Sequence, residues 1–309
     1  MGVPEVASVE AAKLVEAAAL AAQGQQYPAG TLYVVATPIG NLADITLRAV
    51  HVLGLVDAIA CEDTRHSAAL LGRLAITKPL IAVHAHNERS AAAAVLERLA
   101  RGERVAYVSD AGTPAVSDPG AELVAAARAA GHRVVPIPGA SSALAALSVA
   151  GDVAASGFAV VGFLPARGGE RTRAVAATAE RSETQILFEA PHRIESLAAA
   201  LASACPDRTT TLCRELTKQF ETIATMPARA LVGWLAADAN RARGEFVLVL
   251  HASPARAGDD ESAHDALLVP LLAALPLKQA VALAAEISRA PRNALYARAL
   301  ALRGARDEG

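Results

Sequence analysis

The sequence predicts an α/β protein made of two α/β domains, an N-terminal parallel βα sheet and a C-terminal mixed sheet, followed by a helical, helix-turn-helix-like tail. Three observations predict it. From Thr31 onward short apolar runs alternate with amphipathic stretches at a repeat of roughly 25 residues, the pattern of βα units around a parallel sheet. Near Phe158 the runs become longer, richer in Thr and Val and unevenly spaced, as in a mixed sheet. Beyond a Pro/Gly/Asp-rich linker at Ala252 to Ser262 the remaining chain reads as helix. A length of 309 residues suits about two domains.

In order along the chain, residues 1–29 form an Ala-rich extension in which Glu5, Glu10, Lys13 and Glu16 interrupt the apolar part. A secretory leader needs a basic start and an unbroken apolar core, so this stretch does not read as one, and no role is assigned to it. The first domain, 30–151, has strand-like runs at Leu32 to Ala36, Ala58 to Cys61, Leu80 to Val83, Val105 to Val108 and Val134 to Ile137. Asp44 is placed to cap a helix whose apolar positions Ile45, Ala49, Leu53 and Val56 fall three to four apart. Asp118, with Pro119 at the first helical position, is expected to open the helix through Leu123 to Ala130, which Gly131 stops. The second domain, 152–252, carries runs at Ala159 to Leu164, Gln185 to Phe188, Thr209 to Cys213 and Phe246 to Leu250. In the tail, 264–309, Leu277 to Ile287 and Asn293 to Leu302 each have an apolar face, with Pro291 in the turn between them.

Composition narrows the functional classes. With 53% hydrophobic and 19% charged residues the chain is not disordered. A formal charge of -2 excludes nucleic-acid binding through bulk charge while leaving a local basic cleft open. Cys61, Cys205 and Cys213 show neither pairing nor zinc spacing, which fits a reducing cytoplasm. Val134 to Ala166 has Asp152 as its one charge and the length of a membrane span, but Pro136, Pro138, Gly139, Gly151 and Gly157 break any single helix there. A soluble protein with no membrane partner is expected.

Ligands of a parallel sheet gather at the carboxyl ends of its strands. Those ends read Thr37-Pro38-Ile39-Gly40-Asn41, Glu62-Asp63-Thr64-Arg65, His84-Ala85-His86-Asn87-Glu88, Ser109-Asp110-Ala111-Gly112-Thr113-Pro114 and Pro138-Gly139-Ala140-Ser141-Ser142. None spells a dinucleotide or phosphate-cradling signature. Gly112 permits close backbone approach to a ligand, although a capped strand-to-helix turn explains the same residues. Glu62 and Asp63 offer carboxylates beside Arg65, which a helix cap and a surface ion pair explain equally well. His84 and His86 alternate by two, so on a strand they would share one side; no further His/Cys cluster supports a metal, and contact of His86 and Asn87 with substrate is the stronger reading. Glu189 and Arg193 stand near one turn in Phe188-Glu189-Ala190-Pro191-His192-Arg193, and Arg214 to Lys218 closes the following strand; either group also suits solvated strand ends.

Taken together, Thr37 to Leu42, Asp44-Ile45-Thr46, Glu62 to Arg65, Ser109 to Pro114 and Asp118-Pro119-Gly120 resemble the tetrapyrrole methylase superfamily, and within it the branch acting on small-subunit ribosomal RNA. Glu189 to Arg193, Arg214 to Lys218 and the tail motifs Leu275 to Lys278 and Asn293 to Tyr296 extend the match. The resemblance implies a homodimeric enzyme that binds S-adenosylmethionine between its two domains. It further implies methylation of the 2′-hydroxyl of a cytidine in the decoding region of 16S rRNA in the small ribosomal subunit. By similarity the donor lies along Pro38, Ile39, Gly40, Asp110, Ala111, Gly112, Thr113, Pro114, Val116, Ser141, Ser142, Ala143, Phe188 and Leu216. Phe188-Glu189 stands where the family often has Phe-Tyr-Glu. Glu62, Asp63, His86 and Glu189 are the candidate general bases, and Arg65, Arg193 and Lys218 the candidate phosphate contacts. No metal is expected. The alternatives are a methyltransferase acting on a tetrapyrrole precursor and a non-catalytic RNA-binding assembly factor.

Overall fold

The structure is a computed structural model and describes residues 5–84, 87–253, 264–288 and 290–307. Strands β1 (Thr31–Val35), β2 (Ala58–Cys61), β3 (Leu80–Ala82), β4 (Val105–Val108) and β5 (Arg133–Ile137) form a parallel sheet in the order β3-β2-β4-β1-β5. Alternate residues serve opposite faces, as the period of a strand requires. Tyr33, Val35, Ile59, Cys61, Ala106 and Val108 enter one core, and Leu32, Ala60, Val105 and Tyr107 enter the other.

Helices α1 (Glu5–Ala22), α2 (Leu47–Leu55) and α3 (Thr64–Arg73) cover the first face, while α4 (Glu88–Ala100) and α5 (Ala121–Ala129) cover the second. Right-handed crossovers explain the division, because connections running toward β3 and toward β5 must pass on opposite sides. The N-terminal extension is therefore structural. Its Ala11, Ala18 and Ala22 are buried at helical spacing, and Leu14 and Val15 pack on the α2 core.

The second sheet contains β6 (Phe158–Phe163), β7 (Thr184–Glu189), β8 (Thr209–Arg214), β9 (Thr222–Pro227) and β10 (Phe246–Leu250) in the order β6-β7-β10-β8-β9. Only β6 and β7 are parallel; the other pairings are antiparallel. One face packs against α7 (Gly168–Glu180), α8 (Ile194–Ala204) and α9 (Leu231–Ala236). The opposite face receives α6 (Ser142–Ala150), whose Ala143, Ala146 and Ala150 sit against Ile186, Phe188, Cys213, Val247 and Val249. Small residues let this helix lie close to the sheet and join the two lobes. In the tail α10 (Asp265–Ala274), α11 (Leu277–Ser288) and α12 (Arg292–Asp307) share a core of Leu268, Val281, Ala284, Leu295 and Ala299. Among the described residues no helix is long and apolar enough to cross a membrane.

Three local expectations need correction, and one strand carries no sequence signal. Asp44 ends a short 3-10 turn opened by Asn41, and α2 is capped instead by Thr46, whose hydroxyl accepts from the Ala49 amide at 3.1 Å. Asp118 does not cap α5. Gly120 precedes that helix at φ 125°, where a Cβ would overlap the Tyr107 ring. Glu88 reaches over from α4, its Oε1 accepting from the amides of Gly120 and Leu123 at 3.0 and 3.1 Å. His84 lies beyond the end of β3, so no strand aligns it with a second histidine; His86 lies outside the described residues. Finally, β9 had no apolar run to reveal it, because as an edge strand it buries little and alternates Thr, Ile, Ala and Thr.

Candidate active site

The order of the first sheet creates a crevice. The chain leaves β1 toward β2 and leaves β4 toward β5, so connections from these adjacent strands diverge at their carboxyl ends. An antiparallel bridge ties the two loops: the Thr37 amide donates to the Gly112 carbonyl at 2.9 Å, and the Gly112 amide to the Thr37 carbonyl at 3.1 Å. Thr113 adds a third loop by donating its hydroxyl to the Ala140 carbonyl at 3.0 Å. Gly112 has φ 82°, and a Cβ there would stand 3.3 Å from Ile39 Cγ2.

From the other lobe, β7, β10 and the segment after β8 close over this crevice. Backbone strain is concentrated here. Of the five non-glycine residues with positive φ among the described residues, Ala115 and Ser117 belong to the loop after β4, and Glu215 and Thr217 flank Leu216 on the facing side. Such conformations cost on the order of 1–3 kcal/mol each and persist where the surrounding structure holds a site in shape.

The result is a cleft of about 410 Å³, within the size range of small-ligand sites. Nine of the expected donor residues line it: Ile39, Ala111, Gly112, Thr113, Val116, Ser141, Ser142, Phe188 and Leu216. Pro38, Gly40 and Asp110 line a contiguous cavity of about 320 Å³ that shares Ile39, Ala111 and Glu245 with the first. Pro114 is buried in the loop, and Ala143 is 1% exposed in the interface of α6 with the second sheet, so each supports the wall from behind. The larger cleft also takes Phe163, Ser117, Asp118, Ala190, Pro191, Glu245, Phe246 and Val247, which the sequence did not single out as donor contacts. Phe163 meets Phe188 edge-on with ring centroids 5.6 Å apart. An aromatic neighbour is thus supplied by β6 and not by the residue after Phe188. Strand periodicity marked both residues, but only the pairing of β6 with β7 brings them together.

The acidic candidates occupy different environments. Glu189 has a fully buried side chain whose Oε1 lies 2.9 Å from Arg193 Nε and accepts from the Ala190 amide, while Oε2 accepts from Arg171 at 3.2 Å. Arg193 also donates to the Leu164 carbonyl at 2.5 Å, so its guanidinium is taken up by protein acceptors. Asp63 caps α3 and holds Arg65 at 2.8 Å, and this hydrogen bonding brings its carboxyl down to about 2. Glu62 is half-buried; burial first, then the neighbouring Asp110 and Asp118, push its carboxyl up. Burial likewise raises Asp118, opposed by a hydrogen bond from Ser109. Asp110 accepts the Asp63 amide at 3.1 Å, tying the loops after β2 and β4. Asn87 and Glu88 close the β3–α4 turn and cap α5, respectively.

Among the cations, Arg65 is exposed on α3. Lys218 lies over the Pro38–Gly40 loop, where a Cβ on Gly40 would come within 2.5 Å of its Cγ. Its ammonium is held by Glu215 at 2.9 Å and Glu245 at 3.0 Å. Among the described residues no lysine, arginine or histidine lines the larger cleft, whereas Asp118, Glu189 and Glu245 do.

Residues 31–232 match the family model of tetrapyrrole (corrin/porphyrin) methylases. The chain belongs to the tetrapyrrole methylase family. A second model, the RsmI C-terminal HTH domain, matches residues 258–303 of this family member. Two curated relatives are both called ribosomal RNA small subunit methyltransferase I. The one from Pseudomonas aeruginosa is 48% identical over 279 residues, covering 89% of this chain and 99% of the relative. The one from Neisseria meningitidis serogroup A is 49% identical, covering 88% and 93%. Among solved structures, the cobalamin-biosynthetic cobalt precorrin-4 methyltransferase aligns with TM-score 0.54 at 18% identity over 73% of this chain and 98% of that one. Diphthine synthase aligns with TM-score 0.55 at 14% identity over 72% and 89%. These two likenesses concern the fold of the methylase lobes.

Proposed function

We propose that this methylase-family protein transfers a methyl group from S-adenosylmethionine to the 2′-hydroxyl of a cytidine in the decoding region of 16S rRNA. The observation that carries the reading is the larger cleft: its wall is mostly apolar, aromatic on one side and free of basic side chains among the described residues. A cationic donor suits such a wall, and Gly112 provides the close backbone approach that a side chain would block. The names of the relatives and the matched tail supply the RNA side of the proposal.

When bound, the donor supplies an electrophilic methyl group on a sulfonium. The chain's own contribution is alignment. Ile39 and Gly112 from one lobe and Phe188 and Leu216 from the other fix the donor's position between rigid elements. Of the candidate bases among the described residues we assign proton acceptance to Glu62, which lines neither cavity itself but neighbours Asp118 of the larger cleft and Asp110 of the smaller one, since Asp63 is held low by Arg65 and Glu189 is occupied by two guanidiniums. Arg193, together with Arg171, positions Glu189 beneath the cleft wall. Lys218 at the smaller cavity and Arg65 on the exposed start of α3, each shared with carboxylates, add positive charge for the RNA backbone. We further propose a cytoplasmic homodimer. Phe158 and Val160 on the unpaired edge of β6, with Leu144 and Val149 on α6, expose the apolar surface that a second copy would cover.

The test uses small subunits and naked 16S RNA from cells lacking the protein, incubated with purified protein and labelled donor. Mass-spectrometric mapping should find one new ribose methylation. Label passing instead to a tetrapyrrole precursor, or to no substrate, would refute the assignment.

A further inference from the structure

We infer that the cavity beside α3 receives the acceptor nucleotide and that His66 and Arg73 hold its flanking phosphates. This rests on the donor occupying the larger cleft. Displacement at a methyl carbon requires the attacking oxygen in line behind that carbon, within contact distance. The acceptor must therefore sit in space continuous with the donor's. The cavity of about 320 Å³ is the one that adjoins the donor cleft, with Ile39, Ala111 and Glu245 in both linings.

Its chemistry suits a nucleotide where that of the larger cleft does not. Pro38, Leu42 and Leu70 give it an apolar side for the face of a base. His66 and Arg73 are seven residues apart on α3, so they project from one face of the helix, with Ala69 and Leu70 between them. Both are exposed, and among the described residues neither side chain has a carboxylate partner. Arg65 on the same helix is paired with Asp63, and Lys218 across the cavity with Glu215 and Glu245. The two basic side chains without a carboxylate partner are thus the ones that line the cavity. An arginine in the last turn of a helix also complements the helix dipole, so the decisive measurement must be made on RNA.

The experiment compares wild type with the His66→Ala/Arg73→Ala double variant, and with Arg73→Glu and Arg73→Lys. Binding of small-subunit RNA is measured across a salt series, alongside calorimetric titration of S-adenosylmethionine and steady-state methylation. We expect the double variant to bind RNA roughly tenfold more weakly near physiological salt, with a salt dependence shallower by about one to two phosphate contacts. KM for the subunit should rise with kcat little changed, Arg73→Glu should lose more than the double variant, and Arg73→Lys should recover most of the binding. Donor affinity should stay at the wild-type value. Unchanged RNA affinity and salt slope in the double variant and in Arg73→Glu would overturn the inference while leaving the donor cleft intact. Wild-type protein that takes up no donor would instead overturn the reading on which it rests.

Discussion

The cleft floored by Gly112 and the cavity beside α3 are neighbours that share a wall, yet their linings differ in charge. In the first, Asp118 and Glu245 stand in a mostly apolar lining and, among the described residues, no basic group intrudes. In the second, His66, Arg73 and Lys218 stand around Asp110 and Glu245. A sulfonium donor and a polyanionic acceptor need opposite surroundings, and two contiguous spaces provide them without neutralising each other. The contrast extends to the supporting ion pairs. Glu189 is bound by two arginines with no exposure of its carboxylate, whereas Lys218 and Glu245 pair with the Glu245 side chain 77% exposed.

The largest effect is expected where that second contrast is sharpest. Arg171→Ala leaves Glu189 buried with one partner fewer, and should cost about 3–5 kcal/mol of stability. Urea unfolding reads this directly, and a loss below about 1 kcal/mol would show that the pair is not desolvated. Next comes the floor of the donor cleft. Gly112→Val must place a branched side chain at φ 82° and against Ile39, so donor affinity should fall on the order of a hundredfold. Normal calorimetric binding by a folded variant would misplace the cleft. Phe163→Ala removes the edge contact to Phe188; roughly tenfold weaker donor binding is expected, with RNA affinity unchanged. Arg65→Ala sharpens the comparison from the other side, with RNA binding weakened a few-fold and donor binding intact. Equal loss of both ligands would contradict the separation.

The smallest effect on stability concerns Glu62. Because burial and its acidic neighbours raise this carboxyl, the folded protein holds the proton more tightly than the unfolded chain. Its contribution to stability is then most favourable below the ordinary value of 4.5 and declines as pH rises through the folded value. Glu62→Gln should gain stability over wild type at neutral pH, a gain that vanishes toward pH 4, while its methylation rate falls. Thermal melts at the two pH values and a pH–rate profile check both statements.

How far the sequence reveals these features depends on the range of the interaction involved. Buried parallel strands such as Ala58 to Cys61 are legible because every residue is apolar, and the spacing of Ala49 and Leu53 marks a helix face. The loops Thr37 to Asn41 and Ser109 to Pro114 are legible as strand ends. Edge strand β9 is not, since burial is too slight to leave a pattern. Nor is the capping of α5 by Glu88, which acts across 32 residues at Gly120. The wall formed by Phe163, Glu245 and Val247 depends on the strand order of the second sheet and has no local signal. The ion pair of Lys218 with Glu245 likewise becomes visible only when the second sheet is assembled, whereas that of Arg193 with Glu189 spans four residues and is local.

The most direct measurement is calorimetric titration of S-adenosylmethionine into the wild-type protein and the Gly112→Val variant, each first shown to be folded. Saturable one-site binding by the first and none by the second is the expected result. Indistinguishable titrations, or no heat from either even with small ribosomal subunits present, would contradict a donor site between the two lobes.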